Sequence, residues 1–186
     1  MTTLRVEPLT PGSFEPFGEI ITAPSRSPDA SGPGWQWWGE TTLLPGDGRA
    51  WGIGHLALGA AELEFDWAER HMRTKEVVIA TSGDLLVYVA PALHRDEPSR
   101  LPPLDDFRVF RVPAGVGVAL ATGVWHGAPL AAGDQGAALV LLQEGTGRED
   151  VTMVTFADSP VTVMDEPTPA NSPVAVMDEL SPRPKE

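Results

Sequence analysis

Apolar residues along this chain recur in short runs, alternating or continuous, that glycine, proline or a charged pair soon interrupts. A helical period is sustained nowhere for long, so the pattern belongs to strands and turns. Strands are predicted over Gly18–Thr22, Gly52–Leu58, Val77–Ala80, Leu85–Val89, Phe107–Val112, Gly117–Ala121, Ala137–Leu142 and Thr152–Thr155. Each is rich in Val, Ile, Leu or Phe and is bounded by turn formers. One helical turn is expected within Leu9–Pro16, where Thr10 offers a cap and Pro11 a first-turn proline. Strands so closely spaced predict an all-β fold, a jelly roll or barrel with few short helices.

The pattern changes at two places. Residues 23–50 are irregular, with Ser, Pro and Gly around Trp35, Trp37 and Trp38. Tryptophans this close together predict a packing cluster that covers the barrel mouth or meets a partner subunit. From Ala157 the composition shifts to Pro, Asp, Glu and Ser, and Ser159-Pro-Val-Thr-Val-Met-Asp-Glu166 recurs as Ser172-Pro-Val-Ala-Val-Met-Asp-Glu179. The organisation expected is a domain over residues 1–156 and a mostly flexible acidic tail over 157–186. The alternation Val-x-Val-Met is also that of an edge strand, which would dock one or both copies on a sheet.

Composition narrows the chemistry. The 186 residues are 42% hydrophobic and 21% charged, ordinary for a globular protein. No apolar run is long enough to cross a membrane and no signal-peptide pattern opens the chain, so a cytoplasmic protein is expected. With no cysteine, disulfides and thiolate chemistry are excluded, and any metal must use His, Asp or Glu. A net charge of −13 argues against a nucleic-acid partner. It also draws notice to the basic cluster Arg70, Arg73 and Lys75.

Two stretches combine carboxylates and imidazoles with strand-like sequence: Glu69-x-His71-x4-Glu76-x6-Gly83, and Gly115-x5-Ala121-x-Gly123-x2-His126. Such groups are costly to bury unless a metal, a substrate or one another satisfies them. Their spacing resembles the two cupin motifs, whose residues converge inside a small double-stranded β-helix. The resemblance implies one divalent metal (Mn, Fe, Ni or Zn) held by Glu69, His71, Glu76 and His126, and no organic cofactor. Glu69 stands where the first cupin motif has its leading His, Ala121 where the second has Pro, and Leu130 where it has Asn.

The words around these residues resemble the ureidoglycolate lyase family more closely. They are Ala68-Glu-Arg-His71, Val77-Val-Ile-Ala80, Gly123-Val-Trp-His126-Gly-Ala-Pro129-Leu, and an opening Phe14-x-x-Phe17-Gly18-Glu-Ile-Ile. The resemblance spans about residues 5–155. It implies a carbon–nitrogen lyase that splits ureidoglycolate into glyoxylate and urea, in the recovery of purine-ring nitrogen from allantoin. Departures fall at Glu76, where the family usually has Gln, at Met72, often Pro, and at Ala121 and Gly127, where it has additional His.

Under this reading His126 is the expected general base and His71 the acid or a metal ligand, with Glu76 beside them. Arg70 or Arg73, then Lys75, would clamp the substrate carboxylate, and Trp125 would pack beside it. His55 and His94 lie outside the motifs and are read as structural or surface residues. Two other classes stay open: a metal-dependent cupin isomerase, oxygenase or cyclase, and a ligand-binding cupin without catalysis. The exposed edges of an open sandwich predict a homodimer.

Overall fold

The computed structural model describes residues 2–156 and 160–166. In chain order the strands are β1 (Thr3–Pro8), β2 (Gly18–Ile21), β3 (Ala30–Gly32), β4 (Trp35–Trp37), β5 (Trp51–Gly59), β6 (Glu64–Phe65), β7 (Trp67–Arg70) and β8 (Glu76–Ser82). They continue as β9 (Leu85–Ala90), β10 (Arg108–Val112), β11 (Gly117–Leu120), β12 (Trp125–His126), β13 (Leu130–Ala131), β14 (Gln135–Gln143), β15 (Thr152–Thr155) and β16 (Val161–Met164). Two short helices, α1 (Pro11–Phe14) and α2 (Thr146–Glu149), complete the set with a 3-10 turn at Leu104–Asp106. The all-β expectation holds, and each predicted strand is present within a residue or two of its expected limits. The expected helical turn is α1, started by a reciprocal cap between Thr10 and Ser13.

Two sheets curl around one core. The larger runs β15-β7-β12-β9-β10-β1-β16-β6, with β13 also on β9, and the smaller runs β2-β11-β8-β14-β5. Alternation along the strands sends Leu85, Val87 and Val89 of β9, with Phe110 and Val112 of β10, inward against Val78, Ala80, Val118, Leu120 and Ala138 of the smaller sheet. Phe14 and Phe17 pack into the same core, Phe14 edge-on to Phe110 at 5.2 Å between ring centres.

The intervening residues of β9 point the other way. Leu86, Tyr88 and Ala90 join Phe65, Phe107, Val109, Trp125, Phe156, Val161 and Val163 in a second core on the outer face of the larger sheet. Every residue of β9 is therefore buried, which explains its unbroken apolar sequence. The outer core is closed by β16, which lies parallel to β1 and antiparallel to β6. Thus the first copy of the tail repeat contributes a strand to its own chain. The second copy, and the flexibility expected of it, lie outside the described residues. The tryptophan segment forms the hairpin β3–β4, with Trp35 and Trp37 exposed on one face.

Candidate active site

The site lies at one end of the barrel, where the two sheets meet. Glu69 on β7 is registered opposite His126 on β12, in the larger sheet. Glu76 begins β8 of the smaller sheet, opposite Leu120. His71 follows the last residue of β7, and its carbonyl accepts a hydrogen bond from Gly123 N–H at 2.6 Å, tying the loops of the two motifs together. The motif glycines are there for turns: Gly83 and Gly123 have φ of 64° and 83°, a region that side chains avoid. At Gly83 a Cβ would also come within 2.5 Å of the Gln135 carbonyl oxygen.

Four side chains converge. His71, Glu76 and His126 are buried, and Glu69 is half-buried. Ligand atoms of Glu69, His71 and His126 all lie within 4.8 Å of one another. One carboxylate oxygen of Glu76 sits 3.2 Å from His71 Nε2 and 3.3 Å from His126 Nε2.

Backbone carbonyls decide which ring nitrogens face Glu76. His71 Nδ1 is 2.9 Å from the Asp150 carbonyl oxygen, and His126 Nδ1 is 3.0 Å from that of Val124. A carbonyl only accepts, so both Nδ1 atoms carry hydrogen and donate, and in a neutral ring each Nε2 presents a lone pair. Two lone pairs aimed at one carboxylate oxygen repel unless a proton or a cation lies between them. His126 and Glu76 have hydrogen-bonding geometry, so a proton fits there. His71 Nε2 has no hydrogen-bond partner, although it is buried.

The electrostatics agree. Burial alone would push the Glu76 carboxyl up, but the charge of His126 and the approach of both imidazoles hold it down to about 2. Burial alone would likewise push His126 down, and Glu76 overrides it, leaving the imidazole above its ordinary value. Both shifts favour Glu76 as the anion and His126 as the protonated partner of the pair.

The arrangement also fits a metal. A carbonyl that fixes Nδ1 and leaves Nε2 free is how ligating histidines are usually oriented, and the Nε2 of His71 has no hydrogen-bond partner. Glu69, His71 and His126 could therefore hold a divalent cation, with Glu76 next to them.

The expected substrate-binding residues are placed differently. Arg70 and Trp125 adjoin Glu69 and His126 in sequence, so strand alternation turns them to the outer core. There Arg70 is fully buried and donates to the carbonyls of Leu93 (2.8 Å), His94 (2.9 Å), Glu97 (3.0 Å) and Pro98 (2.8 and 3.1 Å). Its guanidinium lies 4.5 Å from the Trp125 ring centre. The carboxylate clamp expected of Arg70 is not available in this arrangement, and Trp125 does not face the pocket. Arg73 pairs with Asp150 (3.5 Å) and Glu149 (3.8 Å) at the rim, and Lys75 pairs with Glu19. His55 points outward from the edge strand β5. Among the described residues, neither Glu69 nor Glu76 is paired with an arginine or lysine.

Asp150 carries no motif, and sequence reasoning missed it. Besides holding His71 through its carbonyl, its carboxylate accepts from Met72 N–H (3.1 Å) and Arg73 N–H (2.9 Å). It organises the turn after His71 from 79 positions away. The face reversal of Arg70, by contrast, had a local signal, since adjacent residues of a strand cannot share a face.

A concavity of about 1260 Å³ between β1, β2 and residues 22–25 is lined by none of the four site residues. Among the described residues no helix is long and apolar enough to cross a membrane. A family model described as Ureidoglycolate lyase matches residues 40–164, a span that holds all four site residues and ends with β16. No curated protein matches the chain.

Proposed function

Since the chain belongs to the ureidoglycolate lyase family, we propose that it is a carbon–nitrogen lyase acting on ureidoglycolate or a similar small hydroxy or ureido acid. The observation that carries this reading is the buried row His71, Glu76, His126, in which one imidazole has a free lone pair and the other a proton. Cleaving a hemiaminal needs both: a base for the hydroxyl proton and an acid for the departing nitrogen.

The hydrogen-bonding geometry between His126 and Glu76 favours the reverse of the roles expected from the motifs. His71 Nε2 takes the proton of the substrate hydroxyl, and the O–H electron pair becomes the second bond of the new carbonyl. The C–N bond breaks with its electrons going to nitrogen, which receives the proton of His126. Glyoxylate and urea are left, with the extra proton on His71. Glu76, within 3.3 Å of both rings, returns that proton to His126 and resets the site. Its place between the rings suits a carboxylate better than the amide usual in the family, because an amide cannot carry a proton from one nitrogen to the other.

A second reading rests on the cluster Glu69, His71 and His126. If these hold a divalent ion, it supplies a positive charge for the substrate's hydroxyl and carboxylate in a pocket that has no arginine or lysine of its own among the described residues.

Release of urea and glyoxylate from ureidoglycolate by the purified protein tests the proposal. Turnover that survives exhaustive chelation supports the imidazole pair, whereas turnover lost on chelation and restored by one added metal supports the second reading. Absence of glyoxylate under both conditions would overturn the assignment of substrate.

A further inference from the structure

The outer face of the larger sheet contains a slot one strand wide between β1 and β6, and β16 fills it. Thr162, Val163 and Met164 oppose Thr3, Leu4 and Arg5 of β1, and Val161 and Thr162 oppose Phe65 and Glu64 of β6. The slot engages four side chains of this segment. Val161 and Val163 are 0% and 4% exposed in the outer core. Asp165 accepts from Arg111 Nη2 through both carboxylate oxygens, at 2.6 and 2.5 Å, and Glu166 pairs with Arg5. Thr162 is half-exposed and Met164 is exposed.

Those four side chains recur in the second copy of the repeat as Val174, Val176, Asp178 and Glu179. Between Ser159–Glu166 and Ser172–Glu179 a single residue differs, Thr162 against Ala175, and it falls on a position that the slot does not bury. We infer that Ser172–Glu179 is a second ligand of this slot on the same chain, able to replace β16 strand for strand. Main-chain hydrogen bonds provide the attachment and alternate side chains the selection, and both are the same for either copy. Both copies are tethered to the slot by their own chain, which favours exchange within a chain over exchange between chains.

Loop length sets the preference. The first copy is close behind Phe156, whose N–H is bonded to the Asp66 carbonyl at 2.6 Å, whereas the second must close a loop thirteen residues longer. On loop-closure grounds that lowers its share of the slot by roughly sevenfold. The first copy therefore fills the slot, and the second takes over when the first is lost. What is kept in place is β6, which Asp66 joins directly to β7 and Glu69.

Disabling the copies separately tests this. Val161→Asp with Val163→Asp should lower the thermal midpoint by only a few degrees. Adding Val174→Asp and Val176→Asp should lower it by at least about 5 °C more. A midpoint equal in the two variants would overturn the inference, whether the drop is large or absent. The chain has no cysteine, so a disulfide trap has a clean background. With the first copy disabled, Arg5→Cys and Met177→Cys should oxidise to an intrachain disulfide of monomeric mass, because Met177 corresponds to Met164, the partner of Arg5. Failure to crosslink, or crosslinking only between chains, would overturn exchange within the chain.

Discussion

Glu69 and His126 differ from Arg70 and Trp125 by one position each, yet the two pairs live in opposite chemistry. On the inner face, buried polar atoms are left unsatisfied: His71 Nε2 has no partner and Glu76 is shared between two rings. On the outer face Arg70 spends its guanidinium on the carbonyls of four residues and stacks over Trp125. A buried charge bonded this extensively to backbone carbonyls is structural, because little donor capacity remains for a ligand. What separates the two faces is the bonding of their ionisable groups: His71 keeps a ring nitrogen without a partner, whereas the Arg70 guanidinium is bonded at all three nitrogens.

Substitutions on the two faces should therefore fail in different ways. The largest effect is expected from His126→Ala, which removes the proton donor and should reduce glyoxylate release by about 10²–10⁴-fold. Its thermal midpoint should fall as well, because Glu76 loses its main partner, so turnover is compared per folded molecule, and near-normal turnover would remove His126 from the mechanism. Arg70→Met should do the reverse, leaving the carbonyls around residues 93–98 unsatisfied and costing about 3–5 kcal/mol in denaturant unfolding. Turnover per folded molecule should stay within a few-fold of the parent, and a selective loss of kcat would return Arg70 to the site.

Asp150→Ala sharpens the comparison, since Asp150 acts on the inner face from outside it. Loss of its carboxylate frees the N–H groups of Met72 and Arg73 and lets His71 drift, so kcat should fall about 10-fold or somewhat more, the range for residues that orient a functional histidine. Stability should fall by only about 1–2 kcal/mol. Asp150→Asn, which keeps an acceptor, should recover part of the rate. The smallest effect is expected from Trp125→Phe. Trp125 Nε1 has no hydrogen-bond partner to lose, so the change should cost about 1 kcal/mol of cation–π contact and leave turnover unchanged.

Much of the barrel could be read from the chain because its signals are local. The runs that became β8, β9, β10, β11 and β14 are long and apolar, and glycines such as Gly83 mark the turns. Strands that were missed, β3, β4, β6, β7, β12 and β13, have two to four residues, too few to show a period. Two of these, β7 and β12, carry Glu69 and His126, so the motifs located the site while the faces of their neighbours went unread. β1 was hidden by its charges and proline, whereas β16 showed in the Val-x-Val-Met alternation as an edge strand and lies between β1 and β6 instead.

Sequence by itself determined the strand-rich architecture and the turn positions, because periodicity is a property of neighbouring residues, whereas the convergence of Glu69, His71, Glu76 and His126 was what the resemblance of the two motifs to a known family implied. Only the tertiary structure decided which nitrogen each histidine offers and what Arg70 is for. Those depend on carbonyls brought alongside by packing: Asp150 for His71, and Leu93, His94, Glu97 and Pro98 for Arg70. A backbone carbonyl is the same in every residue, so no amino-acid identity could have announced them.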